Sequence, residues 1–174
     1  MIRVLRGVAR DTRGAAIIEL AIIAPVLAAL VIGVVDISNA FSRKLGLEQG
    51  AQRALEKIMQ TTDDTTVEKT LANEAVCQVN GMNPDGTCKT SPITVNNVTV
   101  TYRLECTSST GVVTAQSNTD STVFNAYTCA TASTEARFIS VKVTDQYTPL
   151  FPVTFGADAD GTYHISTTAG MRQQ

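Results

Sequence analysis

Tryptophan is absent from this 174-residue chain, histidine occurs once, at His164, and aromatic residues make up 5% of the whole. A core with so few rings must be small and rest mainly on Val, Ile, Leu and Ala. No Cys-x-x-Cys pair occurs among the four cysteines, so with a single His the usual zinc-ligand spacing is missing. Basic residues are scarce after Gly14, where ten stand against fifteen acidic ones, so there is no basic stripe and no nucleic-acid partner is expected. Charge of either sign is missing from Leu20 to Val35, sixteen residues in which only Pro25 and Gly33 weaken a helix.

What is present begins with that run. Extended back to Ala15 it covers 21 residues, about 31 Å of helix, which matches the hydrocarbon thickness of a bilayer. Pro25 lies inside, where membrane helices tolerate it. Arg3, Arg6, Arg10 and Arg13 precede the run with only Asp11 against them, and Asp36 marks its exit into the polar phase. A basic flank ahead of an apolar span holds the N-terminus in the cytoplasm and sends the remainder across. The expected organisation is a basic leader over 1–14, a transmembrane half-helix over 15–35, an amphipathic continuation over 36–60 and an exported head over 61–174.

Phe41, Leu45, Leu47, Ala51, Ala54 or Leu55, and Ile58 recur at helical spacing among charged residues, which predicts that the first helix runs to about Gln60. Gly46 and Gly50 weaken that stretch. Thr65-x-x-Glu68 has the form of a capping box, with Val67, Leu71 and Ala75 on one face of a second helix that Asn80-Gly81 and Asn83-Pro84-Asp85-Gly86 end in turns. The period then changes to two at Val98, Val100, Tyr102 and Leu104, at Ile139, Val141 and Val143, and at Tyr163 and Ile165. The fold class is therefore α+β: a long N-terminal helix continuing into a small head with a second helix and a three- to four-stranded antiparallel sheet. The polar stretch 107–134 is expected to be an extended loop tied down at Cys129.

Cys77, Cys88, Cys106 and Cys129 all follow the apolar run, so an exported head places them in an oxidising compartment. Four cysteines allow three pairings. Cys77 with Cys88 and Cys106 with Cys129 is the favoured set, because both close short loops; buried free thiols are the alternative.

Glu19 lies just inside the apolar run, where an unpaired charge is costly and calls for a role. The pattern Arg13-Gly14-Ala15-Ala16-x-x-Glu19 before an apolar helix resembles a type IV prepilin cleavage site. Pro25 six residues after the Glu, then Gly33-Val-Val-Asp36, then Ile139-Ser-Val-Lys-Val143 and Tyr147-Thr-Pro-Leu-Phe-Pro152, narrow the resemblance to TadE-like minor pilins, or pseudopilins, of tight-adherence pili. Leu20 follows Glu19, where the major pilins of these systems commonly have Tyr, and a large head is present; both favour a minor component. The resemblance implies a structural protein in the inner membrane, head in the periplasm, that reaches the surface pilus after assembly and serves attachment, with a place at the tip. Its implied partners are a prepilin peptidase cutting after Gly14, other pilins and the assembly platform. It also implies that Glu19, as the fifth mature residue, offsets the new Ala15 ammonium.

Two plainer readings stand beside it. An uncleaved single-pass anchor would make the chain a membrane-held periplasmic binding or adhesion protein. A secretory signal peptide ending at Ser38-Asn39-Ala40 would release the head. No catalytic, cofactor-binding or metal residue is expected. His164 has no evident nucleophile partner, and Asp158-x-Asp160-Gly161 lacks the other ligands of a calcium loop, which makes it a turn.

Overall fold

The computed structural model describes residues 15–60, 64–151 and 156–173. The leader with Gly14, the side chains of Ala15, Ala16 and Ile58, those of Thr65 and Glu68 in the capping box, that of Val67, and Pro152 lie outside the described residues. Helix α1 (Ala15–Gln60) is one 46-residue rod containing Pro25, about 69 Å long at 1.5 Å per residue. Helix α2 (Asp64–Asn80) turns back against its far half. Four strands follow: β1 (Val98–Thr107), β2 (Val113–Asn118), β3 (Thr134–Tyr147) and β4 (Tyr163–Gln173), with the short helix α3 (Ser121–Asn125) between β2 and β3. They form one sheet in the order β2-β1-β3-β4, antiparallel throughout.

The two helices cover one face of the sheet. Period two puts Tyr102 and Leu104 of β1, and Ile139, Val141 and Val143 of β3, on that face, where all five are buried. From α1 come Leu47, Ala51, Ala54 and Leu55, from α2 Leu71, Ala75 and Val76, and these complete the core together with Ile93 and Ile165. Phe41 and Leu45 do not join them and stay 60% and 42% exposed. The reason is angular: Leu47 is two residues past Leu45, about 200° round the helix, so the apolar spacing contains two faces and not one.

Gly50 faces α2. A Cβ built on it would stand 2.2 Å from Val79 Cγ2 and 3.2 Å from the Val79 backbone nitrogen, so its missing side chain is what lets the helices approach. Helix α2 ends where the sequence places its stop. Gly81 has φ +79° and its N–H donates to the Cys77 carbonyl at 2.8 Å, closing the last turn. The buried Asn80 side chain then holds the following loop, donating to the carbonyls of Lys89 and Ile93 and accepting from the Ile93 N–H.

The stretch 107–134 differs from the expected open loop. It contains β2, paired with β1 from Tyr102↔Asn118 to Thr107↔Val113, and α3, capped by the Asp120 carboxylate on the N–H groups of Thr122 and Val123. Phe124 of α3 is buried, stacked on Tyr102 and edge-on to Tyr127. Strand β2 hid in the sequence because nearly all of it is exposed, which removes the alternation that marks a half-buried strand. All four cysteines are bonded, as Cys77–Cys88 and Cys106–Cys129. The second bond ties β1 to the segment that follows α3.

Candidate assembly helix and its junction with the head

The near half of α1 stands clear of the head. Ile17, Ile18, Leu20, Ile22, Val26, Leu27, Leu30, Val31 and Val34 are each more than half exposed. This is the one helix among the described residues long and apolar enough to cross a membrane. Glu19 is exposed within that surface, between Ile18 and Leu20, and sits one helical turn from Ala15. Pro25 is also exposed on the rod, whereas Gly33 is buried. The apolar surface continues past the start of the head: Val34, Ile37, Phe41 and Leu45 follow at steps of three and four residues and remain open. Open grooves flank the helix here, one lined by Ile37, Ala40, Phe41, Tyr163 and Ile165, another by Arg43, Leu47, Val79, Tyr147 and Leu150.

Asp36 is 1% exposed, so it marks where the head begins and not contact with water. One carboxylate oxygen accepts the Leu150 N–H at 2.9 Å, and the other is buried with no hydrogen-bond partner among the described residues. Two turns on, Arg43 meets Asp145 at 3.5 Å, and its guanidinium lies 5.9 Å from the Tyr147 ring centroid. Asp145 continues the inward series 139, 141, 143 of β3, so the pleat turns its carboxylate toward the helices. Burial pushes the Asp145 carboxyl above its ordinary value, while Arg43 and the Gln146 N–H pull it back. The head thus grips the rod at two buried carboxylates, one on each partner. Sequence reading missed this junction, although extending the β3 alternation by one step reaches Asp145.

His164 lies at the start of β4, beside a turn. It hydrogen-bonds Asp160 at 2.7 Å, and that bond raises His164 above its usual value while holding Asp160 at about 2. Asp160 also accepts from the Thr162 N–H and hydroxyl, and Gly161 has φ +76°, so 158–162 is a turn. Among the described residues no group of three or more His, Cys, Asp or Glu side chains is placed to hold a metal ion.

The family model described as TadE-like protein matches residues 14–55. Over that stretch the chain is similar to TadE-like proteins. The match begins at Gly14 and ends at Leu55, the last residue of the α1 stripe buried in the core among the described side chains, so it takes in both the open apolar half and the half that carries the head. No curated protein and no solved structure matches the chain. The match and the apolar helix together suggest a single-pass membrane anchor. In the matched segment Glu19 and Asp36 are the two carboxylates nearest the apolar run, one open on the rod and one closed under the head.

Proposed function

We propose that this protein is a minor pilin, or pseudopilin, of a tight-adherence pilus, cut after Gly14 by a prepilin peptidase and assembled through α1. One observation carries the reading: an apolar helical surface from Ile17 to Leu45 that the protein's own head leaves open, with a single carboxylate, Glu19, one turn from Ala15. Such a surface is stable in lipid before assembly and against like helices afterwards, so moving between the two environments costs little. Cleavage would put an α-ammonium on Ala15 at the positive end of the helix dipole. Glu19 of one subunit meeting that ammonium on its neighbour would set the axial register of the bundle. The basic residues before Gly14 would hold the leader in the cytoplasm and direct the head into the periplasm. From there the head would reach the pilus surface, at its tip, for attachment.

Mass spectrometry of the N-terminal peptide tests this. A mature start at Ala15 is expected. A start at Met1 would leave an uncleaved anchor, and one at Phe41 a secreted head; either outcome overturns the pilin reading.

A further inference from the structure

The segment after β3 leaves two large apolar side chains in the open, Leu150 at 67% exposure and Phe151 at 37%. Isolated exposed apolar residues are ordinary on a soluble surface, so their place is what matters. The Leu150 N–H is bonded to Asp36, the residue directly after the uncharged run of α1. That bond pins the backbone carrying Leu150 and Phe151 against the rod at the level where Val34 and Val35 are exposed. The rest of the sheet extends away from this level. Arg43 meets the Tyr147 end of β3, while Ile139 and Val141 pack in one core with Leu47 to Leu55, further along α1. Thr134 and Thr107 pair at the opposite end of the strands, next to the turn that carries Val112.

We propose that Leu150 and Phe151 seat in the interfacial layer of the bilayer beside α1, giving the head its own contact with lipid. The proposal rests on reading α1 as a membrane anchor. A helix leaving the bilayer at Asp36 brings anything bonded to Asp36 to the interface, and Leu and Phe are side chains that partition there. The exposed valines at the end of the run and the loop that Asp36 holds then stand at one level, and one lipid surface reaches both. Two attachment points would also fix how the head is oriented over the membrane, which a single helix leaves free to rotate.

The chain has no Trp, so a substituted one is a sole reporter. Full-length Leu27→Trp, Leu150→Trp, Phe151→Trp and Val112→Trp proteins are reconstituted in vesicles of phosphatidylethanolamine and phosphatidylglycerol, with or without bromine on the acyl chains. Leu27 reports the middle of the span, and Val112, 60% exposed in the β1–β2 turn, reports the far end of the head. Brominated lipid is expected to quench Leu27→Trp, Leu150→Trp and Phe151→Trp, leaving Val112→Trp unchanged. Bromine near the headgroup should quench the two loop reporters most, and bromine near the chain end should quench Leu27→Trp most. Quenching of Leu27→Trp with both loop reporters behaving like Val112→Trp overturns the lipid contact alone. Blue-shifted loop reporters that bromine leaves untouched would mean a protein neighbour, which also overturns it. No quenching at Leu27→Trp removes the anchor reading itself, and the proposal with it.

Discussion

Arg43 Nη1 lies 3.5 Å from Asp145 Oδ2 across the contact between α1 and β3. Asp145 is 6% exposed, so its carboxylate has given up most of its hydration, and among the described residues the guanidinium is the charge placed to offset that loss. The pairing joins the rod to the sheet at the edge of the head nearest the apolar half. Its value is conditional: removing Arg43 leaves Asp145 buried alone.

Arg43→Ala is therefore expected to destabilise the head by about 1–3 kcal/mol, less than the 3–5 of a fully buried pair because Arg43 keeps contact with water. Asp145→Asn should cost less, since no charge is left stranded. The pH dependence has a definite sign. A carboxyl raised by burial binds its proton more tightly folded than unfolded, so stability increases as pH falls through the raised folded value toward the ordinary 3.8. Arg43→Ala should move that window upward and Asp145→Asn should abolish it. Chemical denaturation of the detergent-solubilised chain across the acidic range reads all three; unchanged curves would mean that the pair is idle.

Gly50→Val should separate α1 from α2. Its new Cβ meets Val79 at both the side chain and the backbone nitrogen, and overpacking of this kind costs about 1–3 kcal/mol. Val79→Ala added to Gly50→Val should recover part of the loss, because it removes the closer of the two obstructions. The contact at 3.2 Å to the backbone would remain. Thermal melts of the two single variants and the double variant measure the coupling. Simple additivity would show that the helices do not meet there in solution.

Replacing Cys77 and Cys88 together by Ser should lower stability by roughly 3 kcal/mol, the chain-entropy value for so short a loop. The bond closes a separation of 11 residues and holds the end of α2 to the turn beyond it. Non-reducing peptide mapping of protein from its native envelope should recover the Cys77–Cys88 and Cys106–Cys129 peptides. Four alkylatable thiols would contradict both bonds.

Glu19→Ala is expected to block incorporation into the pilus far more than removal of the leader. On the proposed function the peptidase would keep its glycine and basic flank, while the neighbouring Ala15 ammonium would lose its partner, at about 3–5 kcal/mol for a buried pair. Glu19→Gln should fall between, keeping an acceptor oxygen without the charge. Bulky residues at Gly14 should act in reverse and stop processing first. Leader removal by gel shift and co-sedimentation with sheared fibres, read on the same strains, separate the two steps. Processing and incorporation equal to the parent would make Glu19 an interfacial residue only.

Local chemistry determined much of this protein directly. An uncharged run long enough to span a bilayer specifies the rod, Asn80-Gly81 ends α2, and alternation at Val98–Leu104, Ile139–Val143 and Tyr163–Ile165 marks β1, β3 and β4. Those signals are periodic because each element has one buried face. Strand β2 has none, and its existence depends on β1 offering a free edge to pair with. Phe41 and Leu45 belong with the Leu47 stripe by type and nearness alone, yet only the docked sheet decides which side of α1 is inside. The carboxylates show the same division most clearly. Asp36 follows an apolar run and Asp145 sits in a polar stretch, so each looks solvated in one dimension. Packing the head on the rod buries both, with a loop N–H answering one and Arg43 the other, because a tertiary contact desolvates whatever lies on the faces it brings together.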